Sequence, residues 1–222
     1  MLETMVSLAI VAAAMAYALQ LAQTGDDQAQ GRADADALSS FSQLAAQFFI
    51  SHRAAMEQAM DDGTDAGMFC RVGGAADGSG GTVANSSSKK TCALDASLLL
   101  VRGAWPAGMP LDTFGGRYVA IFRRIYDAGG AATGGTDMLT VLAALDGTLQ
   151  AARPDARRLE QLAAAQATLG GMGGVVPAGT LGDCVASRAS ASFEVCGNGW
   201  RVRLSDFVDP PQLSIFTAAL PE

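Results

Sequence analysis

Glu3 is the only charged residue in the opening stretch of this chain, and it heads an Ala/Val/Leu/Met-rich run from Thr4 to Gly25. A carboxylate at the edge of such a run is costly to bury, and an ionisable group in a membrane-depth segment is a functional suspect by default. The first Lys or Arg is Arg32, so the cationic flank with which a secretory signal begins is missing. His52, the one histidine, could in principle serve a nucleophile as base. It stands between Ser51 and Arg53 on a helical pattern, with no cue for an elbow serine or a second base, so a solvated or capping histidine is the reading. The acidic pairs Asp26-Asp27 and Asp61-Asp62 sit at helix joints and read as solvated breaks, and Asp209 before Pro210-Pro211 reads as a turn. No phosphate-binding loop is present, and the Gly-Gly pairs do not follow a strand in dinucleotide-binding spacing. Nothing here argues for an enzyme or a cofactor.

The cysteines are Cys70, Cys92, Cys184 and Cys196. None forms a Cys-x-x-Cys pair, and with one histidine the spacing for a zinc site is absent. An even count behind a membrane-directing segment reads as two disulfides formed outside the cytoplasm. Three pairings are open. Cys70 with Cys92 and Cys184 with Cys196 is the favoured one, because each pair brackets a turn-rich stretch; four reduced, buried cysteines is the alternative. The net charge of -7 argues against nucleic acid as a partner, since phosphate binding needs clustered Lys and Arg. Lys89 and Lys90, the only lysines, lie in a Ser/Gly-rich stretch.

These residues need elements to position them. Residues 3–24 are Ala-rich without Pro or Gly, which predicts a helix. About 20 apolar residues at about 1.5 Å each would span a bilayer core. Beyond it, Leu38, Phe41, Leu44, Ala45, Phe48, Phe49, Met56 and Met60 recur at three- and four-residue spacing between polar positions, an amphipathic helix able to pack on a domain. Gly25 and Gly31 between the halves either make a flexible joint or sit in an ordinary helix that tolerates them. Asp61-Asp62-Gly63 stops the helix, and 63–91 reads as an exposed loop. The apolar run Ser97–Arg102 is read as strand. Arg117–Tyr126 is the strongest strand and, apolar on both faces, a central one; Asp137–Leu145 is read as strand. Arg153–Leu169 predicts a second helix with Pro154 in its first turn and an apolar face of Leu159, Leu162 and Ala163. The glycine-rich stretch after it reads as a loop. Ser192–Cys196 and Trp200–Leu204 around Asn198-Gly199 read as a hairpin, and Leu213–Leu220 as an edge strand.

The opening MLETMVSLAIVAAAMAYALQLA resembles the mature N-terminus of type IV pilins and pseudopilins. Glu3 matches the family glutamate, the apolar run its anchor, and Cys184 with Cys196 its late cysteine pair. The resemblance covers residues 1 to about 60 and is architectural beyond that, where RYVAIFRRIYDAGG and the last hairpin look like type IVb or conjugation-type pilins. It implies an α+β fold, a long N-terminal helix on an antiparallel β-sheet head. The parts would be an anchor or filament core at 1–25, an amphipathic second half at 26–62 and a disulfide-stabilised head at 63–222.

It further implies a structural subunit that polymerises into a type IV pilus-like filament, used for adhesion, DNA transfer, motility or phage reception. The precursor would sit in the inner membrane of a Gram-negative-type cell, be processed by a prepilin peptidase and be extruded by the pilus assembly machinery. The filament would meet a host surface or a phage. Met1 and Glu3 would direct assembly, the carboxylate pairing with a neighbouring subunit's N-terminal amine. Leu8, Val11, Ala12, Met15 and Leu19 would pack the filament core. Two departures stand out. The family glutamate is fifth in the mature chain and here is third, which implies two leading residues absent from this sequence or a numbering that omits part of the mature start. The anchor also lacks the proline many pilins carry near its end. The rival readings are a minor pilin or secretion pseudopilin that starts or caps a filament, and a bitopic membrane protein with a periplasmic binding domain.

Overall fold

The computed structural model describes residues 2–70, 90–113, 116–144, 156–175, 184, 186–187 and 192–207, with side chains described from residue 22 onward in the first stretch. The proline-free opening forms one helix, α1 (Leu2–Ser51), unbroken through Gly25 and Gly31. Its 50 residues give a rod about 75 Å long at the usual rise. Helix α2 (Arg53–Asp62) continues it after a one-residue break at His52, with φ -119° and ψ 20°. The amphipathic half expected as one helix is therefore two. At the break the His52 N–H is shared between the carbonyls of Phe48 and Phe49, at 3.1 and 3.2 Å. Gly63, at φ 81°, ends α2 by donating to the Ala59 carbonyl, the left-handed stop that the sequence announces. A single turn, α3 (Ala66–Phe69), follows.

The head is built on an antiparallel sheet. Its centre is β3 (Gly116–Tyr126), flanked on one edge by β1 (Thr91–Asp95) and β2 (Asp112–Thr113) and on the other by β4 (Ala132–Ala144). Thr91–Asp95 pairs with Arg123–Val119, and β4 pairs along nearly the whole of β3, with one register shift between Arg124 and Tyr126. The central strand is as expected, and β4 starts earlier than the alternating pattern suggested.

Residues 96–101 correct the reading as strand: they form a helix, α4 (Ala96–Val101). The Asp95 side chain caps it, Oδ1 accepting from the Leu98 N–H at 2.7 Å, and that cap decides the state of an apolar run too short for periodicity to assign. Helix α5 (Ala156–Leu169) is as expected where it is described. The stretch behind it, read as a loop, contains a 3-10 turn, Gly170–Met172, and a short strand, β5 (Gly174–Val175).

A second antiparallel sheet has β7 (Ser192–Gly197) at its centre. β5 and β8 (Trp200–Arg203) lie on opposite edges of it, both pairing with Cys196 and Gly197, and β6 (Ala186–Ser187) pairs with its first residues, Ser192 and Phe193. Gly197 pairs with Trp200, so Asn198-Gly199 is the predicted two-residue turn. A 3-10 turn, Leu204–Asp206, follows β8. The edge strand read at 213–220, Pro154, Asp209 and the segment 71–89 lie outside the described residues.

The two faces of β3 have different neighbours. Tyr118, Phe122, Arg124 and Tyr126 look towards the long helices. Tyr118 stacks on Phe41 (5.6 Å between ring centres) and Phe122 on Phe49 (4.7 Å). Val119 and Ile121, on the opposite face, are buried, as are Leu204 and Phe207. Arg123 on that face lies under the Phe207 ring, so the turn after β8 covers this side. Among the described residues no helix is long and apolar enough to cross a membrane; the side chains of the run 4–21 are outside that set.

Candidate functional site

Helix α1 turns a single stripe towards the rest of the chain. Asp27, Gly31, the adjacent Asp34 and Ala35, the half-buried Leu38, Phe41, Ala45 and Phe48 follow one another along it at three- and four-residue steps, while Ala22, Gln23, Gly25 and Asp26 are exposed. Among the described residues, Asp27 is the first of α1 to be buried. The upper part of the stripe enters the main core with Met56, Met60, Leu94, Trp105 and Tyr118. Burying Phe41 and Phe48 contributes about 1.5–3 kcal/mol each.

The lower part of the stripe has a different chemistry. There α1 meets α5, and the contact is polar and close. Gln161 Nε2 donates to Asp27 Oδ1 at 3.0 Å across the contact, and within α1 Gln30 Nε2 donates to both Asp34 oxygens at 3.3 Å. Each such bond adds only about 0.5–1.5 kcal/mol net, so the aromatic upper half holds the helix down and the lower half sets its fit. Gly31 makes the crossing work. A Cβ there would stand 2.3 Å from the Gln161 carbonyl oxygen and 3.0 Å from the Ala164 Cβ. Gly25 has nothing within 4 Å of the equivalent position. The two glycines paired as a joint therefore differ: Gly31 is a contact surface for α5 and Gly25 lies in the open, in a helix continuous through both.

One member of the expected face of α5 is corrected: Ala163 is exposed, and Gln161 and Ala164 meet α1, while the side chains of Leu159 and Leu162 lie outside the described set. The far end of α5 is tied to the second sheet by Trp200, whose Nε1–H donates to the Gly171 carbonyl at 2.7 Å. Its ring lies over Gly174 and Gly197, where a Cβ would fall 2.6 and 2.2 Å from ring atoms.

A polar clamp fixes the end of α2 to β3. Asp61 receives the Tyr126 hydroxyl and both arms of Arg124, at 3.3 and 3.4 Å. Arg124 also meets Glu57 at 3.0 Å, and Glu57 pairs with Arg53 at 2.8 Å. Lys90 donates to the Asp61 carbonyl, placing a cation at the negative end of α2. Burial opposes ionisation of Asp61, but Tyr126 and Arg124 outweigh it and hold its carboxyl below the usual carboxylate range. Burial and the adjoining carboxylate push the Tyr126 hydroxyl up. The solvated reading fails for one member of each acidic pair: Asp61 anchors this clamp and Asp27 is buried under α5. Asp26 and Asp62 do face solvent, Asp62 accepting from the Thr64 N–H at 2.8 Å.

His52 is half-buried, packed between the rings of Phe48 and Phe69 at 4.3 and 5.4 Å, with Nδ1 3.0 Å from the Phe48 carbonyl. It occupies the first position before α2 without capping it through its side chain. Two disulfides are formed, Cys70–Cys92 and Cys184–Cys196. The first joins the foot of α3 to β1; the second joins residue 184 to β7. Glu194 lies close to the latter pair, but both of its sulfurs are spent on the bridge and offer no thiolate to a metal. The side chains of Glu3, Leu8, Val11, Ala12, Met15 and Leu19 lie outside the described set, on helical backbone, and Met1 lies outside the described residues altogether.

The fold and these contacts define an α+β chain in which a 50-residue helix is packed on an antiparallel head along part of its length. No family model, no curated protein and no solved structure matches it.

Proposed function

We propose that this chain is a structural subunit of a type IV pilus-like filament. The observation that carries the reading is the division of α1. Among the described residues the head buries one stripe of it between Asp27 and Phe48, whereas the sequence Thr4–Gly25 is an uncharged apolar run led by Glu3. Such a run needs lipid or other apolar helices around it. Before assembly the inner membrane serves; in a filament, copies of the same run take its place. Ala9, Ala12, Ala13, Ala16 and Ala18 let helices approach closely.

Glu3 is then the register element. A carboxylate alone in an apolar bundle costs several kcal/mol, which the N-terminal amine of a neighbouring subunit offsets. The two disulfides and the clamp at Asp61 suit a head that stays folded outside the cell. The partners are copies of this chain, the processing peptidase and the assembly machinery. The extracellular filament is the working location.

Replacing Glu3 with Ala tests this reading. Both disulfides, the unfolding midpoint and membrane insertion should match the wild type, while filament number falls sharply. Normal piliation in that variant would refute the role given to Glu3.

A further inference from the structure

Strand β4 is 13 residues long and outermost in its sheet. One edge pairs with β3, and among the described residues no strand pairs with the other. Beyond the register shift near Tyr126 the ladder is unbroken over 136–144. An open edge recruits other strands through its free N–H and C=O groups, and edges are normally blunted by Lys, Pro or a bulge. The stretch 136–144 carries none of these. Its one charge, Asp137, is met by Arg123 at 2.6 Å, and Met138 is 37% exposed. The long helices touch β4 at two points, Ser42 at Thr140 (3.2 Å) and Arg53 at the Gly134 carbonyl (2.7 Å), and they supply no ladder.

The chain itself leads to this edge. Asp206 and Asp137 share the Arg123 guanidinium, at 3.6 and 2.6 Å, and the ring of Phe207 lies 4.5 Å from it. Phe207, the last described residue, therefore stands beside β4. The six steps from Phe207 to Leu213 reach about 20 Å at about 3.3 Å each. Coming down one packed layer takes about 10 Å and passing one strand about 5 Å, so the reach suffices. Pro210 and Pro211 have no N–H to give a ladder. After them 213–220 is uncharged and free of proline, and Ile215, Phe216 and Thr217 favour a strand.

We propose that 213–220 adds to the outer edge of β4 as an intramolecular strap. Tethering gives the segment an effective concentration in the mM range, an advantage over the same segment of another copy. The strap pairs the outward N–H and C=O groups of β4 and closes the head to edge-to-edge association. This holds for a filament subunit and for a monomer alike, so it stands apart from the filament reading.

The test is nuclear magnetic resonance of the full chain in uncharged detergent. Wild type should show nuclear Overhauser contacts between 213–220 and 136–144, and slow amide exchange at alternate residues of 136–144 that does not change with protein concentration. The I215P/F216P variant removes a ladder N–H whichever parity faces β4. Those β4 amides should then exchange about tenfold faster or more, with β1 and β3 unchanged, and excess peptide of residues 212–221 should restore their protection. Contacts to β4 from another segment would overturn the proposal, as would protection that grows with concentration, the mark of a second copy. Fast exchange at every residue of 136–144 in wild type, or undiminished protection in the folded variant, would do the same. The contact measurement uses wild type alone and decides the matter if the variant fails to fold.

Discussion

Gly31→Ala places two effects in direct opposition, and the structure says which wins. In an exposed helix interior, Gly to Ala gains about 1 kcal/mol of helix propensity. At Gly31 the new Cβ would meet the Gln161 carbonyl oxygen at 2.3 Å, whereas ordinary contact starts near 3.4 Å. The obstacle is backbone, so α5 must move by roughly 1 Å, and overpacking of that kind costs about 1–3 kcal/mol. Gly25→Ala carries the same gain in propensity and meets nothing within 4 Å. The difference between the two variants therefore isolates the clash, at about 1–3 kcal/mol. For a chain of this size that is about 2–4 °C of melting temperature per kcal/mol. Thermal unfolding of both proteins in the same detergent is the assay, with amide exchange along α5 as the local readout. Gly25→Ala should melt above the wild type, and Gly31→Ala below Gly25→Ala with faster exchange in α5. If both glycines gain equally on substitution, α1 and α5 do not meet as described and the packing argument fails.

Asp61→Asn should destabilise the head by about 1–3 kcal/mol, because Arg124 and Tyr126 lose a charged acceptor. Its pH dependence has a definite sign. The folded carboxyl titrates below its unfolded value near 3.9, so its stabilisation is present above that value and is lost as pH falls through the folded pKa. Denaturant midpoints of wild type and variant should accordingly differ at pH 7 and converge as the pH falls below about 3.9 and through the lowered folded value; a constant gap would contradict the clamp. Tyr126, held protonated in the fold, should lose its contribution as pH rises past about 10. Asp95→Ala should cost about 1 kcal/mol through loss of the α4 cap and speed exchange at the Leu98 amide, and Asp95→Asn should restore most of it. An unchanged midpoint and exchange rate in Asp95→Ala would show that α4 does not depend on its cap.

Elements with a repeating pattern were readable from sequence, and those decided by one contact were not. The stripe of Phe41, Ala45, Phe48, Met56 and Met60, the doubly apolar β3 and the Asn198-Gly199 turn each carry a periodic or conformational signal that survives folding. Ser97–Arg102 does not, since three consecutive leucines suit a helix or a strand and a single cap at Asp95 selects the helix. The buried acids were hidden for a related reason. Asp26-Asp27 and Asp61-Asp62 look alike in sequence, yet only Asp27 has Gln161 across from it and only Asp61 has Arg124 and Tyr126. Those partners lie 134, 63 and 65 residues away, and local spacing is blind to them. One cue was available for the clamp. Arg124 and Tyr126 alternate with apolar residues on the face of β3 that bears Tyr118 and Phe122, so a polar partner was required wherever that face is covered.

The central claim is that the apolar run led by Glu3 packs against copies of itself in a filament. Electron microscopy of filaments sheared from cells that express this chain, with mass-spectrometric identification of their main protein, tests it most directly. The account predicts long filaments made mainly of this chain, with its N-terminal helices bundled along the axis. Cells that hold the chain only as a membrane-anchored monomer, with filaments absent or made of another protein, would contradict it.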